Sequence, residues 1–120
     1  MNETVKTRQV NDVMVIDLKG RIVRGDSSLA LRDAVRDLVG KGNTKILLNL
    51  GGVSYLDSPG IGELFAAFAS VANQGGQLKM LNPTERVKDL LQVTKLYEVF
   101  DVHDNEANAL RSFSSAAATA

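Results

Sequence analysis

The sequence predicts an α/β fold: a single domain with a mostly parallel β-sheet, an N-terminal antiparallel hairpin strand and about four helices. Strand-like and amphipathic helical runs alternate along the chain, which favours parallel strands joined by right-handed crossovers. The run Lys45–Leu50 is almost wholly apolar, as in strands that helices cover on both faces. The chain has 120 residues, 44% hydrophobic and 23% charged, which suits one globular domain.

A hairpin opens the predicted fold. Residues Val5–Val10 alternate weakly between polar and apolar, and Val13–Leu18 is rich in β-branched and apolar side chains, so we predict two strands. Asn11 and Asp12 between them are typical turn residues. Gly20 ends the second strand.

The first crossover consists of a loop, a helix and a strand. The loop covers Gly20–Gly25, and Asp26–Ser28 supplies candidate N-cap residues. Apolar residues then recur at the spacing of one helical face: Leu31, Ala34, Val35 and Leu38. Gly40 and Gly42 end this helix, and the strand Lys45–Leu50 follows.

The second crossover begins with a predicted loop over Gly51–Asp57. A second helix is predicted after this loop, because apolar residues repeat there at helical spacing: Ile61, Leu64, Phe65, Phe68 and Val71. Gly75 and Gly76 stop this helix, and Leu78–Leu81 forms a short strand. We expect the functional site at the carboxyl ends of the strands, in the loops 20–26 and 51–60.

The last part of the chain starts a helix with Asn82 as N-cap, Pro83 at the first helical position and Glu85 completing a capping box. Its predicted inner face is Val87, Leu90, Leu91 and Thr94. The last strand covers Val99–Val102, and Asp104 caps a final helix. The inward residues of that helix are Ala107, Leu110 and Phe113.

We assign residues 1–113 to the domain and expect 114–120, a small and polar segment, to form a flexible tail. The polar N-terminus has no apolar segment typical of a signal peptide. The longest apolar stretch, Leu64–Ala72, is too short to span a membrane. We therefore expect a cytoplasmic protein with no membrane partner.

Composition excludes several kinds of site. There is no cysteine, so thiolate chemistry and cysteine-ligated metals are excluded, and the single histidine, His103, excludes a site with several His ligands. We expect His103 to be a surface or capping residue. Basic and acidic residues number 14 each and aromatics make up 5%, which argues against direct nucleic-acid binding. We expect no cofactor and no metal.

Ser58 is the main candidate for a functional side chain. Because Pro59 favours an extended conformation in the preceding residue, we predict Ser58 as a helix N-cap with Pro59 in the first turn. One interpretation is a purely structural cap. The other is a phosphorylation switch, in which about two negative charges arise beside Asp57 and repel a docked partner. Asp26 in the neighbouring loop is either a helix cap or part of the same site.

Gly60 and Gly62 lie in the predicted helix, where each costs about 0.5–1 kcal/mol relative to alanine. Close packing on the sheet and close approach of a partner both explain them. A dinucleotide-binding G-x-G-x-x-G motif fails because Phe65 occupies its third glycine position, and no Gly-Lys-Ser/Thr triplet forms a P-loop. Leu56 likewise replaces the first glycine of a G-x-S-x-G esterase motif around Ser58.

These residues resemble a known family. The run Ile46–Leu50, followed by Val53–Gly62, resembles the signature of STAS domains, the sulfate-transporter and anti-sigma-factor-antagonist domains. Leu81–Phe100 and Ala107–Leu110 resemble the closing strand, helix, strand and helix of that family. The resemblance extends over Val5–Phe113 and implies the STAS fold.

The resemblance implies a bacterial partner-switching regulator that is not an enzyme. In that family the unphosphorylated antagonist binds an anti-sigma factor, which is also a serine kinase, and thereby frees the sigma factor. The kinase phosphorylates the serine of Asp-Ser-x-Gly, the complex dissociates, and a metal-dependent serine phosphatase removes the phosphate. The resemblance thus assigns phosphorylation to Ser58. It implies partner contacts at Asp26, Asp57, Pro59, Gly60, Ile61 and Gly62.

One departure and two alternatives accompany this resemblance. Many members have Ser or Thr where this chain has Pro59, so a second acceptor and a backbone N–H are missing here. A first alternative is a non-phosphorylated STAS subunit of a larger assembly, such as a lipid-transport complex. A second is a nucleotide-binding protein, which rests only on glycines at a helix start.

Overall fold

A computed structural model describes residues 4–118, with side chains as far as Phe113. It confirms the predicted single-domain α/β fold, with one sheet and four α-helices within those residues. The elements are β1 (Val5–Val10), β2 (Val13–Ile22), α1 (Asp26–Gly40), β3 (Lys45–Leu56), α2 (Ser58–Asn73), β4 (Gln77–Leu81), α3 (Glu85–Val93), a 3₁₀ turn (Leu96–Glu98), β5 (Asp101–His103) and α4 (Glu106–Ala118).

The five strands lie in the order β1-β2-β3-β4-β5, so neighbours in sequence are also neighbours in the sheet. The β1–β2 pair is antiparallel, with Val10 opposite Val13 across a tight turn, as the hairpin prediction requires. The other pairs are parallel and each is joined by a helical crossover. The element pattern predicts these directions but leaves the strand order open.

Helices cover both faces of the sheet. Alternation along β3 shows the division, because Ile46 and Leu48 face one side and Leu47 faces the other. The larger core joins the sheet to α1, α2 and α3, and its buried side chains include Ile16, Ile22, Leu31, Ile46, Leu48, Leu50, Leu56, Leu64, Val87 and Leu91. The smaller core lies under α4 and consists of Val13, Val15, Leu47, Leu81, Ala109 and Phe113.

β2 and β3 both continue into segments that the sequence predicts as loops. Gly20 pairs with Val53 and Ile22 with Leu56, across irregularities in the register. Glycines interrupt the hydrophobic pattern here, yet Val53 and Leu56 are fully buried, and that burial favours continued pairing. The extension brings the β2–α1 turn to the start of α2.

The helix starts near the C-terminus also differ from the sequence prediction. Thr84 caps α3 by accepting from the amide of Val87, whereas Asn82 adopts a left-handed conformation with φ 55° and does not cap. Asn105, not Asp104, caps α4 through the amide of Asn108. In each case a neighbouring polar residue also suits a cap, so composition alone does not choose between them.

The last strand and last helix are displaced from their predicted bounds. β5 covers Asp101–His103, because Phe100 turns into the larger core and packs edge-on against Phe68 with 5.5 Å between ring centroids. α4 continues to Ala118, so a helix occupies 114–118 of the predicted tail. The flexibility of this tail stays a prediction, and residues 119 and 120 lie outside the described residues.

Candidate functional site

Asp57 organises the carboxyl edge of the sheet. It follows β3 directly in an extended conformation and is the N-cap of α2, where its Oδ1 accepts from the amide of Gly60 at 2.7 Å. Its Oδ2 accepts from the amide of Arg24 at 2.9 Å. One carboxylate therefore ties the β2–α1 turn to the first turn of α2.

The prediction that Ser58 caps α2 was wrong, and the structure places Ser58 and Pro59 in the first turn instead. Both Asp and Ser are good N-caps, and Pro59 tolerates either arrangement because its missing N–H costs nothing in the first turn. The carboxylate of Asp57 accepts two amides at once, which one hydroxyl of Ser58 matches less well.

The electrostatics of Asp57 follow from its amide partners. Partial desolvation raises the pKa of Asp57, but the amides of Arg24 and Gly60 and the charge of Arg24 lower it more, so the pKa lies below its ordinary value. Asp57 is thus ionised at neutral pH, and its negative charge stands immediately beside Ser58.

Ser58 is exposed, and its hydroxyl makes no hydrogen bond within residues 4–118. No imidazole activates it. The single histidine, His103, lies on β5, two strands away from β3, and its Nε2 is 3.2 Å from Oδ1 of Asp101. A hydroxyl without a base is a weak nucleophile. The geometry therefore suits Ser58 as an acceptor of a group that another protein's active site delivers.

Ser58 belongs to an exposed stripe on α2. Gly62 and Phe65 follow it at i+4 and i+7, and all three are exposed; we call them the Ser58 stripe. Phe65 is 47% exposed, although it repeats at helical spacing with apolar residues of which Leu64 and Val71 are buried. In the sequence, Phe65 lies seven residues after Ser58, and this spacing indicates that both share one helical face. The apolar neighbours Leu64 and Phe68 make Phe65 look like part of the apolar pattern instead.

The remaining predicted residues of α2 have different environments. Gly60 is buried, and a Cβ atom there would lie 2.1 Å from the carbonyl oxygen of Ile22, so its close approach is to the sheet. Gly62 has open space where a Cβ would be. Pro59 and Ile61 are half-buried, and Ile61 packs on the larger core. Gly62 is thus the one of these four with a freely accessible surface.

An ion pair fixes the two helices that carry the site. Glu63 on α2 is only 8% exposed, and its carboxylate accepts from Nε and Nη2 of Arg32 on α1. Burial of the carboxylate against α1 requires this partner, because an unpaired charge there would be costly. The pair therefore sets the position of the Ser58 stripe relative to α1.

The β2–α1 turn forms the second half of the site. It contains Arg24 and continues into Asp26, the first residue of α1, and both are exposed. They line a surface groove of about 680 Å³ together with the exposed Leu29. Asp26 makes no hydrogen bond to Ser58 in the described structure, whereas Asp57 links Arg24 directly to α2. In the sequence, Arg24 is one of two arginines in a loop, and no motif distinguishes it.

Comparison with known protein families identifies the family of this chain. Residues 4–109 match the family model described as "STAS domain". The chain belongs to the STAS domain family. The resemblance drawn from the sequence is therefore confirmed. Residues of the STAS protein between 4 and 118 include no helix long and apolar enough to cross a membrane.

Several relatives of this STAS protein carry functional names. It is 32% identical to the anti-sigma-B factor antagonist of Bacillus subtilis over 85% of its own chain and 92% of that protein. A Thermotoga maritima structure described as a candidate anti-sigma factor antagonist matches with TM-score 0.86 and 23% identity, covering 93% of this chain and 96% of the other. The phosphorylated form of the Bacillus cell fate determinant SpoIIAA matches with TM-score 0.72 and 21% identity, covering 90% and 97%.

Proposed function

We propose that this STAS protein is an anti-sigma factor antagonist whose binding is switched at Ser58. The unphosphorylated form binds an anti-sigma factor that is also a serine kinase, and phosphorylation of Ser58 separates the two. A serine phosphatase restores the binding form, and the cycle runs in the cytoplasm. The observation that carries the proposal is the exposed, unpartnered hydroxyl of Ser58 beside the fixed carboxylate of Asp57.

The names of its relatives support a regulatory rather than a catalytic role. The Bacillus subtilis relative is named an anti-sigma-B factor antagonist, and SpoIIAA has been solved in unphosphorylated and phosphorylated forms. The site of this chain agrees with such a role, because the exposed Ser58 hydroxyl is open to a kinase and makes no hydrogen bond to a histidine or a carboxylate within residues 4–118.

The docking surface of the proposal combines the Ser58 stripe with the β2–α1 turn. Gly62 leaves space for close approach, and Phe65 offers an exposed ring of the kind that anchors interfaces. Asp26 adds a charge at the rim. Asp57, with its neighbours in the first turn of α2, holds this surface in shape rather than presenting most of it.

The switch works through charge and hydration. A phosphate on Ser58 adds about two negative charges. The ionised Asp57 stands next to it, so a partner surface that fits a small hydroxyl and one carboxylate meets a concentrated, strongly hydrated anion. Like-charge repulsion and the cost of desolvating the phosphate both weaken the complex.

Mass spectrometry tests the modification first. The intact protein, purified from its native cells under several growth conditions and then peptide-mapped, is expected to carry one phosphate on Ser58. If no phosphate is found under any of these conditions, the switch is contradicted and a fixed subunit of a larger assembly is favoured.

Binding to the anti-sigma factor tests the consequence. Ser58→Ala is expected to bind like the wild type and to resist phosphorylation by the anti-sigma factor with ATP, whereas Ser58→Asp is expected to bind at least about tenfold more weakly, as a like charge at an interface costs over 1 kcal/mol. Ser54→Asp is the matched control, since it adds the same charge at another exposed serine, on β3. Equal affinity of Ser58→Asp and wild type would refute the proposal.

A further inference from the structure

The first turn of α2 has few amides left to bind a phosphate. Gly60 donates to the Oδ1 of Asp57 at 2.7 Å, and Ile61 donates to the backbone carbonyl of Asp57 at 2.9 Å. Pro59 has no N–H. A helix start usually binds anions through these amides, so here Asp57 already occupies the anion position.

Arg24 is a cation that the fold holds at this place. Its amide donates to Asp57 at 2.9 Å, which fixes its Cα beside the start of α2. Its guanidinium makes no hydrogen bond or ion pair within the described residues, although its charge lowers the pKa of Asp57. Arg21, the nearest other arginine in the chain, lies near the end of β2, and its Cζ is 5.7 Å from the centroid of the Tyr55 ring.

We infer that Arg24 binds the phosphate of phosphorylated Ser58 within the same molecule. The inference rests on the proposed function and deepens it, because it identifies the residue that receives the switched charge. A guanidinium offers two parallel N–H donors to phosphate oxygens and keeps its charge at every physiological pH. The main chain of Arg24 is already held by Asp57, so only its side chain has to reorient.

The charges around Ser58 make this pairing measurable. Asp57 is the ionised neighbour of Ser58, and Asp26 is a further exposed acid at the start of α1. Both oppose the second ionisation of a phosphate, whose pKa is near 6 in isolation. Arg24 favours that ionisation. The pKa of the phosphate therefore reports whether Arg24 is paired with it.

The experiment uses the full chain with phosphoserine incorporated at position 58 during synthesis, and follows the ³¹P NMR shift with pH. Arg24→Gln is expected to raise the second pKa of the phosphate by about half a unit, the size of one exposed ion pair. Arg24→Lys is expected to recover part of the shift, because it restores the charge without the two-pronged geometry.

Arg36→Gln is the matched control. Arg36 is an exposed arginine further along α1 with no ion pair in the described structure, so its removal changes the net charge equally. An equal phosphate pKa in wild type, Arg24→Gln and Arg36→Gln would overturn the inference, as would equal shifts in both variants. Because synthesis installs the phosphate, this result is independent of the kinase. Failure of the proposed function would show instead in the mass of the native protein and in binding to the anti-sigma factor.

Discussion

Gly60 and Gly62 lie two residues apart on α2, but their surroundings differ. From sequence they form one pair of helix glycines with two open explanations, packing or partner approach. The structure separates them, because a Cβ at Gly60 would collide with the carbonyl of Ile22 while a Cβ at Gly62 meets nothing within 4 Å. The local sequence does not predict this difference, because it depends on the contact between the end of β2 and the start of α2.

Substitution by alanine is expected to move the stability in opposite directions at these two positions. Gly60→Ala forces α2 away from the end of β2 and should lower the free energy of unfolding by about 3 kcal/mol, as overpacking does. Gly62→Ala should raise it by about 0.5–1 kcal/mol, because alanine favours the helix. Urea denaturation of the two variants measures both, and the same sign for both changes would contradict the assignment.

The Asp57 cap marks the limit of prediction for single residues. The sequence predicts a capped helix start with Ser58 and Pro59 near it, and that much is correct in position to within one residue. The choice of Asp57 depends on a second donor, the amide of Arg24, which lies 33 residues earlier in the chain. Long-range partners of this kind are invisible to local capping rules.

At the scale of elements, one arginine connects three of them. Arg8 on β1 donates from Nε to the carboxylate of Asp17 on β2 at 2.7 Å, and from Nη2 to Glu106 on α4 at 2.7 Å. Asn49 of β3 also donates to Asp17, at 2.8 Å. This network therefore links β1, β2 and β3 to α4.

The Arg8 network predicts a pH-dependent contribution to stability. Hydrogen bonds from Arg8 hold the pKa values of Asp17 and Glu106 below their ordinary values, with desolvation opposing. Depressed carboxylate pKa values stabilise the fold above the unfolded-state pKa, and the effect is lost as pH falls through the folded-state pKa. Arg8→Met should therefore cost about 1 kcal/mol at neutral pH, a value limited by solvent screening of these half-exposed groups.

The cost of Arg8→Met should begin to shrink as the pH falls below about 4, the ordinary carboxylate pKa. It should be lost as the pH reaches the lower folded-state pKa values of Asp17 and Glu106. Denaturation at a series of pH values measures it. Lys6→Met is the matched control on the same strand, because Lys6 is exposed and has no ion pair in the described structure. A cost of Arg8→Met that is independent of pH would contradict the network.

The bounds of the strands and helices are predicted well in some places and poorly in others. The apolar run from Ile46 to Leu50 predicts the first half of β3, and helical periodicity predicts α1 and α2. The extensions of β2 and β3 escape prediction because Gly20, Gly51 and Gly52 look like breaks. The bulges in that pairing accommodate them, and Gly52 sits where a Cβ would be 2.9 Å from the carbonyl of Leu18.

For the whole molecule, the sequence predicts the fold class and a candidate site in two loops, and the structure adds the order of strands. Both predicted site loops lie at the carboxyl edge, as parallel strands require. Their direct contact through Asp57 follows from β2 and β3 being neighbours, which alternation of elements does not specify. Arg24 and Phe65 enter the site only once this order is known.

A surface switch should change binding without changing the fold, and the Asp57 cap makes this testable. If Ser58 were the cap, Ser58→Ala would cost about 1 kcal/mol. Because Asp57 is the cap and the Ser58 hydroxyl is unpartnered, Ser58→Ala should change the free energy of unfolding by less than about 0.5 kcal/mol.

Thr84→Ala provides the positive control for that measurement, since Thr84 caps α3 and also donates to the carbonyl of Val53 at 3.1 Å. It should lose about 1 kcal/mol in the same urea titration. A loss of that size in Ser58→Ala would show that Ser58 supports the helix in solution. A phosphate on Ser58 would then destabilise α2 as well as add negative charge, and the switch would work by changing the fold. The observed cap predicts instead that the domain stays unchanged and that only its surface is altered.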